Sequence, residues 1–189
     1  MILKASRLRA IINNVAKNPD LKNQNRTLWD KRMIEDGIMY LEKSAGGHRV
    51  TEYHLRAGIC VCHSLAKDYG STDWKKILSL YDQYLEINDS LEIALERALV
   101  ISDIEGPQAA IDAVLEIDTS NTFNKSKELN LILAELYIKL HEYEEAIEHL
   151  SKCLELTDDD KEKTMYLSKI ELCKQQLGLT KKYNLVLSF

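Results

Sequence analysis

Residues 127–158 read KELNLILAELYIKLHEYEEAIEHLSKCLELTD, and their apolar spacing decides the fold. Two helical stretches, about 125–140 and 143–157, follow each other with almost no link between them. Leu133, Ala134 and Tyr137 share one face of the first, and Tyr143, Ala146, Leu150 and Cys153 share one face of the second. Apolar residues recurring at three- and four-residue steps mark amphipathic helices. A link this short makes the two helices antiparallel neighbours. Small residues let the helix backbones approach, while large ones fill the opposing groove. One such pair cannot bury its apolar face alone, so pairs of this kind must stack.

The stretch looks like a tetratricopeptide repeat, with its large and small packing residues in the places where that repeat carries them. Two earlier helix pairs fit the same pattern more loosely. One ends in DWKKILSLYDQYLEIND, with Trp74 and Tyr81 at the aromatic positions. The other is LEIALERALVISDIEGPQAAIDAVLEID, with Ala94, Ala98 and Ala110 as small contacts. Starts near residues 58, 91 and 127 lie close to the ~34-residue period of that repeat. The expected fold is therefore all-α, with antiparallel helix pairs stacked as a tetratricopeptide-like superhelix.

Composition agrees. Among 189 residues there are only 7 glycines and 2 prolines, too few for the many turns of an all-β fold. Hydrophobic residues at 45% and charged residues at 29% describe a globular chain long enough to bury a core without staples. The four cysteines, Cys60, Cys62, Cys153 and Cys173, match no zinc spacing and sit in apolar surroundings, which suggests reduced thiols in an intracellular protein. No secretory leader pattern and no run of ~20 apolar residues is visible, so a cytoplasmic protein without membrane contact is expected.

Along the chain, Leu8, Ile11, Ile12 and Val15 form a first helical stripe that ends near Asn18-Pro19. A second helix is expected from Thr27 to Lys43, stopped by Gly46-Gly47, and a third over about 51–69. Ser71 or Thr72 can cap the fourth, Asn88-Asp89-Ser90 the fifth, and Gly106-Pro107 starts the sixth. Asp118 to Asn124 reads as a polar loop, the helix from Asp160 ends at Leu177, and TKKYNLVLSF forms a short last segment. The domain organisation expected is a linker helix over 1–22 followed by a helical-repeat domain over 23–189.

Charge is unevenly spread. Residues 1–56 carry 11 Lys and Arg against 6 Asp and Glu, a net of +5; residues 57–189 carry 14 against 24, a net of −10. An acidic body argues against nucleic-acid binding there, because phosphate contacts need clustered cations.

Catalytic motifs fail on spacing. HEYEEAIEHL at 141–150 has Glu145 where a metalloprotease helix needs its second histidine, and His149 comes eight positions after His141. CVCH at 60–63 lacks the order used for haem attachment. There is no glycine-rich phosphate loop and no nucleophile elbow. The run Asp158-Asp159-Asp160 precedes a helix and most simply caps it. Neither an enzyme activity nor a cofactor or metal is expected.

Trp29 stands apart. NQNRTLWDKRM, residues 23–33, places it among charges and amides, with Arg26 and Asp30 beside it. The trio can orient a helix start while the ring packs inward, anchor a partner surface, or mark the join of two modules. Tyr53, Arg56 and Trp74 are the other candidates for an interaction role, with repeat packing as the plainer explanation of Trp74.

Taken together, the ordered blocks R-[ST]-x-W-D, Y-x-L-x-A-x-I, T-D-W-x-x-I-x-x-L-Y-D and G-P-x-A-A resemble the C-terminal extension of extracytoplasmic-function sigma factors with tetratricopeptide-like repeats. This chain carries Asn23 and Asn25 where that family tends to have carboxylates, and Glu96-Arg97-Ala98 where it often has Asn-Arg-Ala. The resemblance implies a non-enzymatic regulatory domain that contacts the sigma regions of its parent protein or core RNA polymerase. Promoter DNA would be reached only through sigma regions preceding Met1, with the first helix as the join. Arg26, Trp29 and Asp30 would then organise a hinge, while Tyr53, Arg56 and Trp74 line or support a repeat surface. The rival expectation is a free-standing repeat adaptor for a peptide or protein.

Overall fold

The computed structural model describes residues 1–13, 20–47, 49–117 and 126–187, with side chains through residue 178. Its first residues form two short helices, α1 (Ile2–Ala5) and α2 (Leu8–Ile12). The buried set is Leu3, Ser6, Arg7 and Ala10, not the expected stripe: Leu8 is 54% and Ile12 69% exposed. The spacing of three, four and seven is the same, but the stripe is displaced around the helix because Arg7 is taken into the interior. Val15 and Asn18-Pro19, which completed the expected stripe, lie outside the described residues.

A short 3₁₀ turn spans Arg26–Leu28, and α3 (Lys31–Ser44) follows. The helix therefore starts four residues later than Thr27. Trp29 is extended, at φ −74° and ψ 136°, and Asp30 is the N-cap, its carboxylate accepting from the Met33 amide at 3.1 Å. Such a cap satisfies one of the free amides of the first turn. Next come α4 (Glu52–Leu65) and α5 (Trp74–Ile87). α4 stops four residues before Tyr69 because Ala66 turns extended, at ψ 135°. The cap of α5 is Asp73, which accepts from the Lys76 amide at 3.0 Å, while Ser71 closes a local turn with Asp68.

Beyond these lie α6 (Leu91–Ile104), α7 (Pro107–Ile117), α8 (Lys127–Leu140), α9 (Tyr143–Glu155) and α10 (Asp160–Leu187). The Ser90 hydroxyl accepts from the Ile93 amide at 3.3 Å, so the expected cap of α6 is present. Asp159 caps α10, accepting from Lys161 and Glu162 at 2.8 and 2.9 Å. The separate last segment expected after Leu177 is instead a continuation of α10, whose backbone passes through Gly178 to Leu187. The loop 118–124 lies outside the described residues. The chain is all-helical, as expected, and no strand occurs among the described residues.

Two units divide the chain, Met1–Ile93 and Ala94–Phe189. The described residues of the expected linker segment contribute α1 and α2 to the first unit, where α1 packs on α3 and α4, and α4 packs on both α3 and α5. In the second, α8 packs on α7 and α9, and α9 packs on α10. The α8–α9 reversal is made by His141, left-handed at φ 63°, with the His141 and Glu142 amides closing onto Ile138 and Tyr137 at 3.1 and 3.0 Å. Those bonds satisfy carbonyls that the helix end leaves free. Lys127 pairs with Glu162 and Glu135 with Lys169, both at 2.8 Å. Separations of 35 and 34 residues set α8 and α10 side by side in the same direction, one repeat apart.

Candidate functional site

Trp29 is 5% exposed, in a core with Leu3, Ala10, Ile34 and Cys60. Its break in the helical pattern is what admits it. The extended residue between the 3₁₀ turn and α3 turns the ring under α1 and α4, and the Asp30 amide donates to the Ser6 carbonyl at 2.9 Å. Both Arg7 and Arg26 face the ring, with guanidinium carbons 4.9 and 4.7 Å from its centroid. Arg26 also closes the C-terminus of α4, donating through Nη1 to the carbonyls of His63 at 2.5 Å and Ala66 at 2.9 Å. A cation there meets the negative end of the helix dipole. Arg7 donates through Nη2 to the Cys60 carbonyl at 3.3 Å.

Electrostatics follow from this crowding of cations. Burial lowers the pKa of Arg7, and the nearby Arg26 lowers it further. Burial lowers Arg26 as well, opposed by Asp68. His63, 8% exposed, is pushed down to about 4, first by desolvation and then by the charges of Arg7 and Arg26. Its ring is neutral at physiological pH.

Trp74 is half-buried and packs edge-on against Tyr69 and His63, with ring centroids 4.8 and 5.4 Å away. Arg56 is exposed, yet its Nε donates to the Tyr84 hydroxyl, and its guanidinium lies 5.3 Å from the Tyr84 ring centroid. The Tyr84 hydroxyl donates to Glu52 at 3.3 Å, and Asn88 donates to the same carboxylate oxygen at 3.4 Å. This network ties α4 to α5. Burial of Tyr84 raises its pKa, with Arg56 acting against that shift.

Tyr53 differs from the rest: it is 76% exposed and stands on an open apolar groove of about 530 Å³ beside α1, α3 and α4. Ile2, Tyr40, Leu41 and His54 are among its walls. The structure therefore brings Arg26, Trp29 and Asp30 together at one helix junction, puts Arg56 and Trp74 on the α4–α5 seam, and leaves Tyr53 at the groove. Sequence reasoning missed Arg7, His63, Glu52 and Tyr84. Arg7 carried a signal, since Leu3, Ser6, Arg7 and Ala10 repeat at helical spacing, but a charged residue in that stripe argues against burial.

The metal-like stretch HEYEEAIEHL is committed to packing and bonding within the second unit. His149 Nδ1 meets the buried Asn130 side chain at 2.8 Å and its ring stacks on Tyr137, while His141 Nδ1 meets the Tyr143 hydroxyl at 2.8 Å. Among the described residues, no group of three or more His, Cys, Asp and Glu could hold a metal ion. All four cysteines are free thiols. No helix of the described residues is long and apolar enough to cross a membrane.

Over 114 residues the chain is 32% identical to an uncharacterized protein of Rhizobium meliloti strain 1021. That similarity covers 60% of this chain and 27% of the relative, so the chain spans about a quarter of the relative's length. No protein-family model matches the chain. No solved structure matches it significantly.

Proposed function

We propose that this chain is the regulatory C-terminal domain of an RNA polymerase sigma factor, acting by protein contact and not by catalysis. The observation that carries the reading is how the blocks behind the family resemblance fit together. Arg26 of the first block binds the carbonyls at the end of the helix that carries Tyr53, Leu55, Ala57 and Ile59 of the second block. Trp74 of the third block packs on His63 of that same helix. Three of the four blocks thus interlock within the first unit, which supports the resemblance better than scattered surface matches could. In this reading the apolar groove at Tyr53 receives the sigma regions of the parent protein or core polymerase, and the Trp29 junction sets its geometry by seating α1 against α3 and α4.

Sigma-region sequence in frame before Met1 is expected. In such a protein, deleting residues 1–189 should alter promoter-directed transcription or its response to signal, and Tyr53→Ala with Tyr40→Ala should weaken the contact to purified sigma regions or core polymerase. Unchanged initiation and signalling after the deletion would sink the proposal and leave the repeat-adaptor reading, in which the same groove takes a peptide.

A further inference from the structure

A second concavity lies beside the Trp29 junction, with a volume of about 400 Å³. Arg26, Trp29, Lys31, Ile34, Ser64 and Lys67 bound it. We propose that it binds the phosphoryl group of a small organic phosphate, independently of the protein contact assigned to the Tyr53 groove.

Three observations converge on it. The first is unspent donors. Trp29 Nε1 and Arg26 Nη2, both on residues lining the cavity, are buried without a hydrogen-bond partner among the described residues, and so is Arg7 Nε against the same indole. Buried donors of this kind are costly to leave unmade. Arg26 spends Nη1 on two carbonyls, which holds its guanidinium in place at the cavity wall.

The second is an excess of positive charge. Arg26, Lys31 and Lys67 line the cavity, Arg7 faces the same indole, and none of the four has a carboxylate within ion-pair distance among the described residues. Asp30 caps α3, and Asp68, which favours the charged form of Arg26, also accepts from the Ser71 amide at 2.8 Å. Arg26, Lys31 and Lys67 line the cavity and no carboxylate does, a balance that suits an anion. The two arginines also help to depress the His63 pKa, after burial, as expected where positive charge is in excess.

The third is shape. Trp29 and Ile34 supply an apolar wall beside the cations. A volume of about 400 Å³ exceeds what a bare phosphate fills and falls at the small end of ligand pockets, roughly 300–1,000 Å³. Fixed guanidinium and mobile ammonium donors suit a tetrahedral oxyanion, and the apolar wall suits its organic part.

The test is titration of the whole chain with phenyl phosphate, inorganic phosphate and benzoate, followed by calorimetry and by the indole N–H resonances of Trp29 and Trp74. Phenyl phosphate should bind most tightly and shift the Trp29 resonance while sparing that of Trp74. Lys31→Gln with Lys67→Gln, both exposed and therefore compatible with folding, should weaken it by about tenfold or more, the loss of one charge-assisted contact. The proposal is overturned if the Trp29 resonance does not move at millimolar ligand, if the double variant binds equally well, or if benzoate binds as tightly as phenyl phosphate. Any of these leaves the Tyr53 groove untouched, and a failure at that groove leaves this site standing.

Discussion

The guanidinium of Arg26 lies 4.7 Å from the Trp29 ring centroid while its Nη1 binds the last carbonyls of α4. One side chain thus joins the start of α3 to the end of α4. Arg26→Lys keeps the charge but loses the planar fork and the stacking face. It should destabilise the first unit by about 1–3 kcal/mol, with Trp29→Ala costing more, about 3–5 kcal/mol for a buried aromatic. Denaturant unfolding followed by helix signal measures both. An Arg26→Lys protein as stable as wild type would refute the clamp.

His63 gives the fold a pH dependence of defined sign. Its folded pKa of about 4 lies below the ordinary 6.5, so its contribution is complete above about pH 6.5 and is lost as pH falls through 4. The depression corresponds to about 3 kcal/mol. Unfolding between about pH 4 and pH 7 should show stability rising with pH, and His63→Gln should flatten most of that slope. The remainder belongs to His149, also lowered by burial and then by Lys152, and at the acid end to Glu148 and Glu162, lowered by their lysine partners. A His63→Gln protein with the full wild-type slope would show that the ring does not titrate as described.

Gly37 sits where α1 crosses α3. A Cβ there would stand 2.7 and 2.8 Å from Leu3 Cγ and Cδ2. Gly37→Ala must therefore displace the Leu3 side chain and loosen α1, at a cost of about 1–3 kcal/mol for overpacking. Gly178 in α10 meets nothing within 4 Å, and Gly178→Ala should stabilise its helix by up to about 1 kcal/mol. Hydrogen exchange should rise in α1 for the first variant and fall in α10 for the second. Equal behaviour of the two alanines would mean that Leu3 does not bear on Gly37.

Asn130 is fully buried in the second unit, donating to the Ser126 carbonyl at 2.9 Å and meeting His149 Nδ1 at 2.8 Å. Asn130→Ala strands both partners and should cost about 2 kcal/mol or more. The exposed pair Lys169–Glu135 should cost under about 1 kcal/mol when broken, despite its 2.8 Å distance. Thermal unfolding of Asn130→Ala and Lys169→Ala ranks the two, and a reversed ranking would count against the buried link.

Thiol labelling offers a separate check. Cys153 is fully buried, and burial pushes its pKa up to about 11. Cys62 is half-buried, with a smaller upward shift from burial and from Asp73. In native protein near neutral pH, Cys62 should react well before Cys153, because attack requires an accessible thiolate. Mass mapping of the labelled peptides decides it, and prior modification of Cys153 would contradict the packing of α8 on α9.

Much of the architecture was legible because helix periodicity is local. The stripe through Leu133, Ala134, Tyr137, Ala146 and Leu150 needs only a 3.6-residue repeat to be read, and all of these but the half-buried Tyr137 are buried in the structure. Boundaries were less legible. Asp73 took the cap expected of Ser71 or Thr72, and α3 begins after Asp30 instead of at Thr27, because tertiary contacts chose where each chain break would fall.

The sequence by itself determined that the chain is helical, that α4 pairs with α5 and α8 with α9, and that a helix begins just after Trp29. Those properties depend on side chains three or four positions apart and on short links. Only the tertiary structure decided that Arg7 joins Arg26 at the Trp29 ring, that His63 stays neutral beneath them, and that Tyr53 is left at an open groove. Arg7, Trp29 and His63 are separated by 22 and 34 residues, so no local pattern relates them. Their chemistry arises only when α1, α3 and α4 pack together and exclude water from the space between.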